Sequence, residues 1–233
     1  DAVGGSASLT ASGKSPIAWF HCASLGEFEQ GRPVMEEFRK RYPAFKILLT
    51  FFSPSGYEVR KNYPGADHVF YLPLDTAKNA KKFIEIVKPS IALFVKYEFW
   101  YHYLNTLQRK KIPTFVFSAI FRDNQYFFKW YGKWFQSILK NFTGIFVQNK
   151  PSILLLQAIG CTNVAYSGDP RFDRVIQIAK AQKHFPVVEA FVKGFKILVA
   201  GSTWSEDEYF LTNFINHSLP GGQNHELFGD MKF

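Results

Sequence analysis

The chain has 233 residues, enough for one large domain or for one domain and part of another. Hydrophobic residues make up 47% of it and aromatic residues 18%, which excludes disorder over most of the length. The 28 lysines and arginines against 19 acidic residues give a formal charge of +9. That charge favours an anionic partner such as phosphate, nucleic acid or an acidic membrane surface.

The cysteines, the hydropathy pattern and the histidines further narrow the class of protein to which the chain can belong. Cys22 and Cys161 lie in apolar segments without metal-ligand spacing, which indicates a reducing compartment rather than a disulfide-stabilised fold. No apolar run approaches the roughly 18 residues that a membrane span needs. The histidines, among them His21, His68 and His184, show no HExxH motif or paired spacing, so we expect no metal site and no cofactor.

Short apolar runs alternate with amphipathic stretches along most of the chain. The apolar runs predict buried strands at 17–22, 45–52, 68–72, 91–95, 114–119 and 144–148. The amphipathic stretches predict helices at 27–41, 55–62, 76–87, 99–110, 124–140, 149–158 and 173–183. Strands separated by helices form right-handed βαβ units, so we expect an α/β fold with a Rossmann-like parallel sheet flanked by helices.

The pattern changes after Asp169-Pro170. We expect a flexible tail at 1–15, an amino-terminal domain at 16–170 and an interdomain segment at 171–194. A new buried strand, KILVAG, and the helix after it would open a second α/β domain at 195–218, followed by an irregular tail at 219–233. Too few residues follow for a second domain of comparable size, so we expect that domain to be truncated.

The segment ASLGEFEQG (23–31) comes directly after the first strand. Parallel sheets bind ligands at the carboxyl ends of their strands, where Glu27 would be placed to take a proton from a hydroxyl group. The spacing of Ser24 and Glu27 also matches a capping box, in which the two side chains satisfy N–H groups at a helix start. Taken without further information, the residues favour the capping interpretation.

Two further segments follow predicted strands. KYEFWYH (96–102) would place Glu98 and Trp100 on the same crevice as Glu27. The alternative makes Glu98 a first-turn acid that complements the helix dipole and Trp100 a core residue. FFSPSGYEVRK (51–61) contains a Ser-Pro-Ser-Gly turn with backbone N–H groups that could bind an anion, although a plain strand-to-helix turn is the simpler explanation.

A fourth segment, AGSTWSEDE (200–208), precedes the last predicted helix. Ser202 and Thr203 lie where the helix start could hold a phosphate. Thr203 and Glu206 also fit a capping box, and the two interpretations are compatible.

The segment 121–142 combines aromatic and basic residues at helical spacing. The pattern is typical of a helix on an anionic lipid surface, but also of a core-facing helix with solvated lysines. A basic-aromatic lipid-binding module without catalysis is therefore an alternative function. The lysines are otherwise scattered and no RRM, KH or helix-turn-helix signature occurs, so we expect no nucleic-acid partner.

Several of these motifs, taken together, are similar to one known family. They are WFHCASLGEFEQGRPV (19–34), TFFSPSGYE (50–58), YLPLDT (71–76), KYEFW (96–100), FVQN (146–149), SGDPRFDRV (167–175) and GSTWSEDE (201–208). In order and spacing they resemble the 3-deoxy-D-manno-octulosonic acid (Kdo) transferases of lipopolysaccharide synthesis, over roughly residues 16 to 212. The resemblance implies a two-domain GT-B fold of which this chain holds the amino-terminal half.

The resemblance also implies an activity. Kdo would move from CMP-Kdo to the lipid A precursor, lipid IVA, at the cytoplasmic face of the bacterial inner membrane, without a metal ion. Glu27 matches the family's general base for direct, inverting displacement, and Glu98 matches a second family glutamate, an acceptor-side or structural residue. The turn that would line the acceptor cleft contains Ser53, Ser55 and Gly56.

Donor binding is implied for three residues near the domain junction: Arg171, Ser202 and Thr203. The chain departs from the family pattern at Lys96, where an acid is common, at 101–102, where Pro-Asn is common, and at Trp204, where His is common. The family's amino-terminal hydrophobic anchor and most of its donor-binding domain have no counterpart in these 233 residues. We therefore expect this chain alone to be inactive.

Overall fold

The structure, a computed structural model, describes residues 15–181, 184–194, 196–218 and 231–232. Most of the tails predicted at 1–15 and 219–233 lies outside these ranges. The chain divides into two compact units, Asp1–Lys180 and Ala181–Phe233.

The described part of the first unit contains a parallel sheet of seven strands with helices on its faces. The strands are β1 (Ile17–His21), β2 (Lys46–Phe51), β3 (His68–Tyr71), β4 (Ile91–Val95), β5 (Thr114–Ala119), β6 (Gly144–Val147) and β7 (Val164–Tyr166). The helices are α1 (Leu25–Arg41), α2 (Pro54–Arg60), α3 (Ala77–Val87), α4 (Tyr101–Arg109), α5 (Lys133–Leu139), α6 (Lys150–Ala158) and α7 (Pro170–Lys180). A 3₁₀ helix spans Tyr126–Phe128.

The second unit contains short elements in its described residues. They are α8 (Pro186–Val192), β8 (Lys196–Ile197), α9 (Ser205–Ser218) and β9 (Met231–Lys232). β8 pairs with β9 in parallel, although β9 falls in the stretch predicted to be irregular.

The five inner strands of the large sheet are buried on both faces, as their continuous apolar runs predict, whereas the edge strands β3 and β7 are largely exposed. Successive residues of β1 point to opposite faces, so Trp19 packs in one hydrophobic cluster while Ala18 and Phe20 pack in the other. The core is thus divided into two layers by the sheet, and β1 contributes to both.

The strand order is β3-β2-β1-β4-β5-β6-β7. The chain builds outward from β1 to β3 and then returns to place β4 on the other side of β1. The order therefore reverses between β1 and β4. The last residue of β1, His21, is paired with Thr50 on β2 and Phe94 on β4.

The predicted fold class is confirmed: the chain is α/β, with a Rossmann-like parallel sheet flanked by helices. β7 was not predicted, because its three residues are too short for a periodicity signal. The single helix predicted at 124–140 is wrong, since the segment forms the 3₁₀ helix, a turn and α5. At the turn, a Cβ on Gly132 would lie 2.3 Å from the carbonyl oxygen of Tyr126, so the backbone packs more closely there than another residue allows.

Asp67 connects α1, β2 and the segment before β3. Its Oδ2 accepts hydrogen bonds from Arg39 Nη2 at 2.5 Å and the Ile47 amide at 2.8 Å, and its Oδ1 accepts from Lys46 Nζ at 2.9 Å. Partial burial would raise the pKa of Asp67, but the Ile47 amide and the two cations outweigh it and hold the pKa well below its usual range.

We expect Asp67→Asn to lower the free energy of unfolding by about 2 kcal/mol at pH 7, because charge-assisted hydrogen bonds are lost. A depressed carboxyl pKa stabilises the fold above the unfolded value, near 4, and this contribution is lost as the pH falls below it. Urea unfolding followed by circular dichroism should show the difference between the proteins shrinking below pH 4. Glu37→Gln, which changes an exposed acid on α1, is the control; a difference that stays constant down to pH 2 would contradict the assignment.

Candidate active site

The candidate site lies at the carboxyl ends of β1 and β4, where the strand order reverses. Connections leave neighbouring strands in opposite directions at such a point, which opens a crevice for a ligand. α1 begins four residues after β1, and the loop from β4 to α4 carries Lys96, Glu98 and Trp100. The fold therefore brings both predicted acidic residues to one edge of the sheet.

Glu27 lies in the first turn of α1 and forms the predicted capping box. Its Oε2 accepts a hydrogen bond from the Ser24 amide at 3.0 Å, and its own amide donates to Ser24 Oγ at 3.4 Å. Oε2 is therefore the carboxylate oxygen of Glu27 that takes part in the capping box. Capping occupies one carboxylate oxygen and leaves the other for a ligand, so the two interpretations of Glu27 are compatible.

The environment of Glu27 favours proton transfer at neutral pH. Burial, and then the negative charge of Glu98, raise the pKa of Glu27 to about 7. The hydrogen bonds from the Ser24 and Ala23 amides and the charge of Lys96 oppose this rise. A carboxyl group with a pKa near the working pH is suited to act as a general base.

Glu98 is held by two ring nitrogens. Its Oε2 accepts a short hydrogen bond from Trp100 Nε1 and lies 3.2 Å from His21 Nε2. Its side chain is 11% exposed. The Trp100 ring packs edge-on against the Phe52 ring, with the two centroids 5.0 Å apart. Phe52 directly follows β2 and is itself partly exposed. Trp100 is therefore a site residue and not only part of the core.

His21 is a site residue that the sequence analysis missed. It is fully buried, and its Nδ1 lies 2.9 Å from Thr50 Oγ1 while its Nε2 faces Glu98. The Thr50 hydroxyl also accepts a hydrogen bond from Trp19 Nε1 at 2.8 Å. The signal available was a histidine at the last position of a central strand, but its partners come from other strands, 29 and 77 residues away.

The Ser-Pro-Ser-Gly turn lies next to the start of α1. The Ser53 amide donates to the Ala23 carbonyl at 2.7 Å, which ties the turn to the loop before Glu27. The hydroxyl groups of Ser53 and Ser55 are 3.0 Å apart, and Ser53 caps α2. A Cβ on Gly56 would lie 2.3 Å from the Phe51 ring, so glycine permits close packing at this position.

Arg171 lies at the start of α7 and binds Asp169. Its Nε donates to Asp169 Oδ2 at 2.8 Å. Burial would raise the pKa of Asp169, but Arg171, and more weakly Lys96, lower it. Lys96 also lowers the pKa of Glu27, so its charge acts on both carboxyl groups.

Ser202 and Thr203 lie in the second unit, just before α9. Ser202 has a left-handed backbone, with φ of 59°. Thr203 Oγ1 donates to Glu208 at 3.2 Å and the Trp204 amide donates to Asp207 at 3.0 Å, in place of the predicted Thr203–Glu206 capping box. The carboxylates of Asp207 and Glu208 already accept hydrogen bonds at this helix start. A phosphate bound there would therefore depend on the hydroxyl groups of Ser202 and Thr203.

Over the described ranges, no cluster of three or more His, Cys, Asp or Glu residues has an arrangement that could bind a metal ion. Over the same ranges, no helix combines the length and the apolar character needed to cross a membrane.

Solved structures show the fold of the chain. A UDP-N-acetylglucosamine 2-epimerase superimposes with a TM-score of 0.62 at 14% identity, covering 94% of this chain and 63% of that one. A putative UDP-N-acetylglucosamine 2-epimerase from Listeria monocytogenes gives 0.60 at 11% identity, covering 94% and 61%. These are similar in fold alone, and they match the amino-terminal half of a GT-B architecture predicted from the sequence.

Sequence comparisons are more specific. The chain is 27% identical over 213 residues to the 3-deoxy-D-manno-octulosonic acid transferase of Rickettsia felis, covering 90% of this chain and 45% of that protein. It is 28% identical over 191 residues to the corresponding protein of Aquifex aeolicus, covering 76% and 49%. The chain thus spans about half the length of these curated relatives. Since the model of the 3-deoxy-D-manno-octulosonic-acid transferase (kdotransferase) family matches residues 4–174, the chain belongs to that family.

Proposed function

We propose that this chain forms the acceptor-side part of an inverting glycosyltransferase that moves Kdo from CMP-Kdo to the lipid A precursor, lipid IVA. The observation that carries the proposal is Glu27: a carboxyl group with a pKa of about 7 at the switch point of the sheet, beside a turn of exposed hydroxyl groups. Family membership supports the substrate class. Neither a metal ion nor a cofactor is needed for this chemistry.

In the proposed reaction, Glu27 takes the proton of an acceptor sugar hydroxyl through the oxygen that does not cap α1. The hydroxyl oxygen attacks the anomeric carbon of Kdo from the side opposite to CMP. The bond between that carbon and the phosphate oxygen breaks, and CMP leaves with the electron pair. One displacement inverts the configuration at the anomeric carbon.

The other predicted site residues have binding roles in this proposal. Ser53 and Ser55 donate hydrogen bonds to acceptor hydroxyl groups, and Gly56 keeps their turn close to Phe51. Glu98, which lies 3.2 Å from His21 Nε2, is assigned to acceptor binding. In the first unit, Arg171 binds an anionic group of the donor, as expected of a guanidinium group, and in the second unit the hydroxyl groups of Ser202 and Thr203 are assigned to donor binding separately.

The aromatic and basic segment supports contact with a membrane. Trp130 is 91% exposed, Tyr131 55% and Trp134 53%, and Lys129 and Lys133 lie beside them in the chain. Phe127, Ile138 and Leu139 of the same segment are buried. One side of the segment thus anchors it to the core while the other presents rings and cations, an arrangement typical of an anionic lipid interface.

We propose that this surface, 126–134, contacts the cytoplasmic face of the bacterial inner membrane, where the lipid acceptor would be held. The same observation supports the alternative function, a lipid-binding module without catalysis. The two differ in whether Kdo is transferred, so one assay separates them.

Transfer of radiolabelled Kdo to a lipid A precursor, from CMP-Kdo generated in the assay, is the direct test. We expect no turnover with this chain and turnover when it is extended by the carboxyl-terminal half of a Kdo transferase relative. A folded extended protein that binds lipid vesicles but transfers no Kdo would favour the lipid-binding module.

We expect Glu27→Gln in the extended protein to lower kcat by about 10²- to 10⁴-fold, as for loss of a general base. The amide oxygen can still accept the Ser24 hydrogen bond, so the fold should be retained. Because the base must be ionised, wild-type turnover should rise with pH through about 7 and level off above it. Glu29→Gln, two residues along α1 and paired with Arg60, is the control, and equal kcat in both variants would refute the role.

We expect the double substitution Trp130→Ala and Trp134→Ala to weaken binding to vesicles containing phosphatidylglycerol by about tenfold or more, since each indole buries a large apolar area. Vesicle sedimentation measures this directly. Tyr166→Ala, a change of an exposed ring on β7, is the control. Unchanged binding in the double variant would place the membrane contact elsewhere.

A further inference from the structure

His21 connects the core of the sheet to the candidate site. Its imidazole is fully buried at the carboxyl end of β1, and both ring nitrogens face oxygen atoms of other elements. Nδ1 lies 2.9 Å from the Thr50 hydroxyl and 3.2 Å from the Thr50 carbonyl oxygen. Nε2 lies 3.2 Å from Glu98 Oε2. A ring without solvent contact and with partners at both nitrogens has a fixed orientation.

The partners of His21 are themselves fixed. Trp19 Nε1 can only donate, and it donates to Thr50 Oγ1 at 2.8 Å. The single hydrogen of the Thr50 hydroxyl has two acceptors within reach, the Phe20 carbonyl oxygen at 3.4 Å and His21 Nδ1 at 2.9 Å, and the shorter distance favours donation to Nδ1. This leaves the ring hydrogen on Nε2, directed at Glu98. Every donor in the chain from Trp19 to Glu98 points the same way, an arrangement in which successive hydrogen bonds strengthen one another.

The Glu98 carboxylate lies in a loop and not in a strand or helix, so its position depends on side-chain contacts. Two ring nitrogens, His21 Nε2 and Trp100 Nε1, converge on the same oxygen, Oε2. The rings of His21 and Trp100 also pack edge-on, with centroids 5.5 Å apart and planes at 87°. Removal of the His21 imidazole would leave Trp100 as the hydrogen-bond donor to the Glu98 carboxylate. It would also leave a cavity beside the carboxylate, into which the carboxylate could turn.

We propose that His21 is a positioning residue: as the Nε2–H tautomer, held by Thr50, it keeps the Glu98 carboxylate beside Glu27. This inference rests on the proposed function of Glu27 as the base, but the position of the proton on His21 is independent of it. His21 contacts neither substrate in the proposed reaction and acts only through Glu98.

The consequence is a change in the pH at which Glu27 ionises. The charged and titratable groups that face Glu27 are Glu98 and Lys96 from the loop after β4, Cys22 from the end of β1, and the amides of Ala23 and Ser24. Of these, Glu98 raises the pKa of Glu27, so a Glu98 carboxylate that turns away lowers it. Burial, the larger cause, remains, so we expect the acidic limb of the kcat profile to move down by about one pH unit.

The first measurement is the pH dependence of kcat in the extended, active protein. His21→Leu and Glu98→Gln should each move the acidic limb to lower pH by a similar amount. The double variant should move it no further, because residues that act through one contact are not additive. The control is His68→Gln, which changes an exposed histidine at the amino end of the edge strand β3. It should leave the acidic limb of the kcat profile unchanged.

The second measurement does not depend on activity or on a His21 variant that folds. Long-range ¹⁵N–¹H correlation spectra of wild type and Glu98→Gln report which ring nitrogen of His21 carries hydrogen. We expect a protonated Nε2 and an unprotonated Nδ1 in wild type, and a shifted Nε2 resonance in Glu98→Gln.

An unprotonated Nε2, or an Nε2 resonance that is the same in both proteins, would overturn the proposal. So would a double variant whose acidic limb moves by the sum of the single shifts. An inactive wild-type extended protein would refute the proposed function instead, and the spectra would still decide the role of His21. If His21→Leu does not fold, the spectra of wild type and Glu98→Gln decide alone.

Discussion

Glu27 and Glu98 lie at the same edge of the sheet, where burial and mutual repulsion both oppose the ionisation of Glu27. A negative charge so placed is retained only where hydrogen bonds stabilise it. Glu27 accepts the Ser24 amide, and Glu98 accepts the indole N–H of Trp100 and faces His21. Much of the local structure, from the cap of α1 to the aromatic loop before α4, serves to hold these two carboxylates.

The centre of the sheet makes this arrangement rigid. β1 lies between β2 and β4, and its residues enter both hydrophobic clusters. On one face, Trp19 packs edge-on against Phe94 at a centroid distance of 5.2 Å and binds Thr50, which in turn contacts His21. The abundant aromatic residues thus have a role beyond filling the core, because their N–H groups and ring edges position polar groups at its boundary.

Glu27 shows that a capping motif and a functional motif need not compete. The capping box needs one carboxylate oxygen, whereas proton transfer needs the other. The crevice position and the charge of Glu98 then raise the pKa of Glu27 to about 7, a value that a solvated first-turn glutamate would not reach. A similar double use holds at 126–139, where buried Phe127 and Leu139 anchor a segment that exposes Trp130 and Trp134.

The sequence by itself determined the parallel α/β sheet and the position of Glu27, Glu98 and the 53–56 turn at its carboxyl edge, because burial periodicity and strand-end position are local properties. Only the tertiary structure decided which groups meet there. His21 and Thr50 are 29 residues apart, and His21 and Glu98 are 77 apart, so no local pattern records their contacts. The turn at Gly132 was likewise decided by packing, since helical spacing of aromatic residues describes a stripe of rings and not the path of the backbone between them.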